Sequence, residues 1–238
     1  MEPVLAERTG IWIGWNGTDG GTSRPFEVEG LTLHPVPLTE AEAQGYYHQM
    51  SNRTLWPLYH DAIREPEFEH TSWRPYVEVN RRFARAAAKL TPRGGTVWVH
   101  DYHLQLVPAM LRAWRSDVKI GFFLHIPFPP EELFAWLPWR ERVLQGLLGA
   151  DVVGFQTYAA AQNFSRLARQ YTVAEGTDTL LEYQGRKIVV NSFPISIDFR
   201  SFEAVAEQES VRAEALKIRQ SVGPSRKIVL GVDRLDYT

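Results

Sequence analysis

From Thr96 onward the sequence alternates short apolar runs with amphipathic stretches, and this alternation limits the fold more than any other feature. Thr96-Val97-Trp98-Val99, residues 118–124, Asp151-Val152-Val153-Gly154-Phe155 and Lys187-Ile188-Val189-Val190 have the length and the β-branched and aromatic content of buried strands. Between them, 104–114, 131–148 and 158–169 read as helices, with Pro108 a weak point in the first and Pro138 interrupting the second. Parallel neighbours in a sheet need a crossover of a dozen or more residues, which a helix supplies. The spacing therefore predicts an α/β fold with a parallel sheet covered on both faces.

Upstream, Ile11-Trp12-Ile13-Gly14-Trp15 reads as a strand end that stops at the turn cluster Asn16-Gly17-Thr18-Asp19-Gly20-Gly21. Residues 31–36 alternate and read as a second strand. Thr39 followed by Glu42 is a capping-box start for a helical region that runs, with interruptions, toward Trp56-Pro57. Val79, Phe83, Ala86, Ala87 and Leu90 recur at helical spacing with Arg81, Arg82, Arg85 and Lys89 between them, and Pro92 and Gly94-Gly95 close that helix. Beyond Pro194-Ile195-Ser196-Ile197-Asp198 the pattern predicts a long polar helix to about 220 and a new strand over 227–232. A boundary near 194–199 divides the chain into one domain over 1–198 and the start of another over 199–238.

Composition narrows the function. The 238 residues are 44% hydrophobic, enough for a real core. A net charge of -2, without a run of basic residues, gives no general pull toward nucleic acid or anionic membranes. The lack of cysteine excludes a disulfide scaffold and any thiolate nucleophile or metal ligand. No run approaches the roughly 18 apolar residues of a membrane span, and residues 1–9 lack the apolar stretch of a signal peptide. The expectation is a soluble cytoplasmic protein with no nucleic-acid and no membrane partner; a homo-oligomer stays open.

In an open α/β sheet, ligands sit beyond the carboxyl ends of the strands. There the first three strands of the regular block carry His100-Asp101-Tyr102-His103, His125 and Gln156-Thr157. The first group reads as a metal site, as a ligand contact, or as a strand end whose side chains bond the neighbouring loop. His125 ends a strand too apolar to want a histidine for solubility, and Pro127, Pro129 and Pro130 fix the backbone after it. That suits a positioned ligand group; the alternative is a core histidine bonded to a carbonyl. Tyr46-Tyr47-His48-Gln49-Met50-Ser51-Asn52 and Leu55-Trp56-Pro57 combine aromatic faces with small polar groups, as a sugar ring requires, although a helix packed on the sheet has the same composition. Arg234 follows the expected strand 227–232 and could clamp a phosphate. The Gly20-Gly21 pair lacks the spacing of a phosphate loop.

These segments carry a family likeness. Trp12-Ile13-Gly14-Trp15, the run from Tyr46 through Trp56-Pro57, Val97-Trp98-Val99-His100-Asp101-Tyr102-His103-Leu104, Gly121-Phe122-Phe123-Leu124-His125-Ile126-Pro127-Phe128-Pro129, Gly154-Phe155-Gln156-Thr157 and Arg234-Leu235-Asp236-Tyr237 resemble, in order, the trehalose-6-phosphate synthases. The resemblance implies a GT-B-type glycosyltransferase architecture, in which 1–198 is a Rossmann-like acceptor-binding domain without its first strand and 199–238 begins the nucleotide-sugar-binding domain. It implies transfer of glucose, with retention, from a nucleotide-glucose such as UDP-glucose to glucose 6-phosphate, with no metal and no cofactor. Carried over by position, Tyr47 and Trp56 would line the acceptor site and Asp101 would bond acceptor hydroxyls. His125 would contact the donor sugar, and Arg234 would hold the donor diphosphate. No covalent sugar–enzyme intermediate is implied.

Against that pattern, the S-N-R-L-P-type segment whose Arg binds the acceptor phosphate does not precede Trp12, nor does the Gly-rich donor loop. The Lys that would pair with Arg234 is not reached by Thr238. A cleft with one wall should bind the donor weakly, so the expectation is a chain inactive by itself. Two other classes remain: a non-catalytic sugar-phosphate-binding or regulatory module of the same fold, and a metal-dependent hydrolase using His100, His103 and His125.

Overall fold

The computed structural model describes residues 10–18, 20, 24–28, 30–223 and 225–232. The chain divides into two compact units, Met1–Pro194 and Ile195–Thr238. Among the described residues no helix is long and apolar enough to cross a membrane.

The first unit opens with a small sheet. β1 (Ile11–Gly14) pairs in parallel with β3 (Leu31–Pro35), and β2 (Phe26–Val28) pairs antiparallel on the other side of β3. The Thr39–Glu42 capping box then starts α1 (Glu40–Glu42), with both reciprocal bonds formed. Arg82 reaches across to the Pro37 carbonyl at 2.6 Å and to the Glu42 carboxylate at 3.0 Å, tying this start to the long helix that follows. That bond to Arg82 is the main reason the Glu42 carboxyl titrates below its ordinary range.

The helical region expected to be interrupted is instead widened. Ala43–Leu55 is a π-helix, whose main-chain bonds reach back five residues. The Ser51 hydroxyl donates to the Tyr46 carbonyl, also five residues back, at 2.8 Å. Gly45 lets the long helix that follows pack closely: a Cβ there would lie 2.7 Å from Cγ of Pro75. A short α2 (Trp56–Tyr59) follows, then α3 (His70–Leu90), which buries Tyr76, Val79, Asn80, Phe83, Ala84 and Ala87 on one stripe.

The main sheet has the order β4-β5-β6-β9-β8-β7. β4 (Thr96–His100), β5 (Lys119–Leu124), β6 (Val152–Phe155) and β9 (Arg186–Ser192) are parallel, with His100 opposite Phe123 and Leu124 opposite Phe155. The crossovers carry α4 (Val107–Trp114), α5 (Glu131–Phe134), α6 (Arg140–Leu147) and α7 (Tyr158–Tyr171). Pro108 sits in the first turn of α4, where its missing N–H costs nothing, so it starts the helix rather than weakening it. Pro138 lies in the gap between α5 and α6.

Two expectations are corrected here. The sheet is mixed, because β7 (Glu175–Gly176) and β8 (Leu180–Tyr183) add an antiparallel hairpin beside β9. β7 is only two residues long, and Leu180-Leu181-Glu182-Tyr183 does not alternate, so neither registers as a strand in the sequence. Nor are both faces covered among the described residues. Strands that add in one direction through right-handed crossovers return every helix to the same side. Val99, Ile120, Phe122, Leu124, Val153, Phe155, Ile188 and Val190 are buried, whereas Trp98 on the opposite face is 49% exposed and Val189 42%.

The helical layer packs closely through glycine. A Cβ on Gly146 would lie 2.4 Å from the Gln105 carbonyl oxygen, and one on Gly149 2.2 Å from the Ala109 nitrogen. They let α6 and the turn after it press against 105–109, behind the carboxyl end of β4. At the opposite end of the strands, Arg112 donates to the carbonyls of Val118 and Ser116 and to the Asp151 carboxylate at 2.6 Å, and Asp151 accepts the Ile120 N–H.

In the second unit the expected single helix is two, α8 (Phe199–Ala206), capped by the Asp198 side chain, and α9 (Glu209–Val222). The strand expected over 227–232 is not formed among the described residues. A strand needs a hydrogen-bonded neighbour, and the described part of this unit offers none.

Candidate active site

Parallel pairing puts the carboxyl ends of β4, β5 and β6 on one rim. β4 ends in His100, and the Asp101 N–H that follows it donates to the Phe123 carbonyl of β5 at 2.8 Å. The Asp101 carboxylate accepts the main-chain N–H of His125 at 3.4 Å. His100 Nδ1 and His125 Nε2 lie 3.0 Å apart. The two strand ends singled out in the sequence are thus in direct contact.

The turn carrying His125 is anchored in the core. Phe128 is fully buried among Phe134, Phe155, Phe164 and Tyr59, with ring centroids 5.1 to 5.7 Å away. Its carbonyl accepts the Asn163 amide at 3.1 Å. With Pro127, Pro129 and Pro130 fixing the backbone around it, the imidazole of His125 is left exposed at the rim.

Residues 102–106 are held from beneath. The Tyr76 hydroxyl donates to the Tyr102 carbonyl at 2.6 Å, and the Gln105 amide shares that carbonyl at 3.1 Å. Asn80 donates to the His103 carbonyl at 3.0 Å and accepts the Leu106 N–H at 3.1 Å. The Tyr102 hydroxyl in turn donates to Asn52 of the π-helix at 2.9 Å. Neither Tyr76 nor Asn80 stands out among the candidate residues of the sequence. A polar Asn80 inside the apolar stripe of α3 is the signal that could have found them, since a buried amide must find partners.

A line of rings borders this loop. Trp15 meets Tyr47 edge-on at 5.3 Å, Tyr47 stacks on His103 at 5.5 Å, His103 lies 3.9 Å from Tyr102, and Tyr102 lies 5.5 Å from Trp56. The structure therefore brings Tyr47 and Trp56, each half-buried, beside the loop that bears Asp101. Thr157 serves the fold, capping α7 by accepting the Ala160 N–H. Arg234 lies outside the described residues.

The electrostatics follow from burial. Burial raises the Asp101 carboxyl above its ordinary range, against the N–H groups of Tyr102 and His125 that favour its charged form. Burial, and then the neighbouring His125, lowers His100 to about 4; burial alone lowers His103 to about 4. Both imidazoles are therefore neutral near pH 7. Their Nε2 atoms are buried without a hydrogen-bond partner. Among the described residues no three His, Asp or Glu side chains converge on a point where they could hold a metal ion. His100 and His125 bond each other instead.

A rim of hydroxyl, amide, carboxylate and imidazole groups beside flat aromatic faces is suited to a sugar. The chain is 50% identical over its whole length to the trehalose-6-phosphate synthase of Mycobacterium sp. (strain JLS), covering 51% of it. It is 49% identical to that of Mycolicibacterium smegmatis, again over the whole chain and 49% of the relative. It spans about half the length of the curated relatives it matches. Among solved structures it resembles an alpha,alpha-trehalose-phosphate synthase (UDP-forming) from Burkholderia vietnamiensis, with TM-score 0.86 and 31% identity over 99% of this chain and 51% of that one. It also resembles the N-terminal domain of trehalose-6-phosphate phosphatase from Candida albicans, with TM-score 0.75 and 30% identity over 81% of this chain and 42% of that one. The family model that matches, over residues 1–238, is that of glycosyltransferase family 20, and the chain belongs to that family.

Proposed function

We propose that the chain supplies the acceptor side of a retaining glycosyltransferase that moves glucose from a nucleotide-glucose to glucose 6-phosphate and yields trehalose 6-phosphate. Its setting would be the cytoplasm. The observation that carries the reading is the contact of Asp101 with His125 at the ends of two adjacent parallel strands, beside the rings of Tyr47 and Trp56.

In this reading Trp56 and Tyr47 pack on the apolar face of the acceptor glucose, and the Asp101 carboxylate accepts bonds from its hydroxyls. A half-buried carboxylate makes stronger bonds than one in water. His125, at the exposed end of β5, bonds a hydroxyl of the donor sugar and fixes its anomeric carbon against the acceptor. The bond from that carbon to the diphosphate oxygen breaks as the bond to the acceptor oxygen forms on the same face. The acceptor proton passes to the departing diphosphate, whose charge Arg234 offsets. No carboxylate of the chain takes a covalent share.

The test is calorimetric titration of the purified chain with glucose 6-phosphate, beside Asp101→Ala and His125→Ala. The reading expects weak binding that Asp101→Ala abolishes and His125→Ala leaves nearly intact, because His125 faces the donor. Binding indifferent to Asp101 would overturn it. A second reading, a sugar-phosphate-binding module without turnover, is favoured by the likeness to the phosphatase N-terminal domain. The two part in a nucleotide-release assay on the chain joined to the second half of a synthase relative: the enzyme reading expects turnover, the module reading none.

A further inference from the structure

We propose that Tyr76 and Asn80 are positioning residues for Asp101: by clamping the backbone just after it, at Tyr102, His103 and Leu106, they hold it in a strained geometry that aims its carboxylate at the rim. This rests on the reading of Asp101 as a sugar-contacting group. Asp101 has φ 71° and ψ 169°, a region that is nearly glycine's own. A side chain stays there only where its neighbours over-determine the backbone.

The neighbours do so from both sides. On the sheet side, the Asp101 N–H is fixed to the Phe123 carbonyl and the carboxylate to the His125 N–H. On the helix side, the Tyr102 carbonyl is held by Tyr76 and Gln105, and the His103 carbonyl and Leu106 N–H are both held by Asn80. Tyr76, Asn80 and Gln105 are completely buried, out of reach of any sugar. Tyr76 and Asn80 stand four residues apart on α3, one turn above the other, so one rigid helix face grips consecutive peptide groups. Without that grip Asp101 can relax to negative φ, which turns its Cβ and carboxylate away from the His125 N–H. The clamp thus couples α3 to the sugar site without touching the sugar.

A double-mutant cycle tests this. Asp101→Gly should raise the urea midpoint of the parent chain, because glycine holds the same dihedrals without strain. In Tyr76→Phe, a change mild enough to leave the fold intact, the same glycine substitution should raise the midpoint by less than half as much, because the strain has already relaxed. Asn80→Ala should show the same coupling more strongly. With Asp101 present, Tyr76→Phe should also weaken glucose 6-phosphate binding about three- to tenfold through misplacement of the carboxylate. Additive midpoint shifts, or unchanged affinity in Tyr76→Phe, would overturn the clamp. Should glucose 6-phosphate fail to bind the parent at all, the reading of the site falls, and the midpoint cycle still decides the clamp by itself.

Discussion

Mild acid should destabilise the first unit through His103. Its ring is stacked on Tyr47 and lies against Tyr102, its Nε2 is buried without a partner, and burial lowers it from 6.5 to about 4. The unfolded chain takes up a proton near pH 6.5, while the folded chain resists until about 4. Between those values the unfolded state binds more protons, so stability falls as pH falls through that window. From about pH 7 to about pH 5, one such histidine costs roughly 2 kcal/mol, and the full separation is worth roughly 3 kcal/mol at lower pH. His100, lowered similarly but bonded to the exposed His125, which can accept from its protonated ring, adds a smaller amount. Asp101 acts in the opposite direction, because a carboxyl raised by burial favours the folded state once it protonates. The assay is urea unfolding followed by tryptophan fluorescence at both pH values. With a slope of about 2 kcal/mol per molar urea, the midpoint should drop by about 1 M. His103→Phe keeps a ring against Tyr47 and removes the titrating group, so it should lose much less over the same interval. Equal losses in the parent and in His103→Phe would refute the argument.

Three further outcomes are expected. Gly149→Ala should destabilise by roughly 2–4 kcal/mol or prevent folding, because its Cβ would fall 2.2 Å from the Ala109 nitrogen, a backbone atom that cannot step aside; thermal unfolding reads this directly. Arg112→Met should cost about 2–4 kcal/mol in urea unfolding through the carbonyls and the Asp151 carboxylate left behind, while glucose 6-phosphate affinity stays unchanged because Arg112 sits at the far end of the strands. Trp56→Ala should weaken glucose 6-phosphate binding by about 1–2 kcal/mol, near tenfold, with little change in the far-ultraviolet circular dichroism.

The alternation of strand and helix after Thr96 was enough to place β4, β5 and β6 side by side and hence to bring Asp101 and His125 to one rim. That much is legible because parallel strands need crossovers, and crossovers have one hand. The π-helix was not legible, since its widened turns preserve helical composition while changing which side chains align. Tyr47 therefore reaches His103 by a route that a 3.6-residue repeat does not describe. The β7–β8 hairpin escaped because Glu175–Gly176 is two residues long and Leu180-Leu181-Glu182-Tyr183 does not alternate. The strain at Asp101 left no mark at all, for nothing in an aspartate's neighbours along the chain announces a positive φ. Asn80 did leave one, as a lone amide in an apolar stripe.

The account depends on a sugar phosphate settling on the rim formed by β4 and β5, and nuclear magnetic resonance of the labelled chain during a glucose 6-phosphate titration tests this most directly. The expected result is saturable shifts concentrated at the amides of Asp101, Tyr102, His103 and His125 and at the indole of Trp56, with Arg112 and Asp151 unmoved. Shifts scattered over other surfaces, or none at millimolar sugar phosphate, would contradict it.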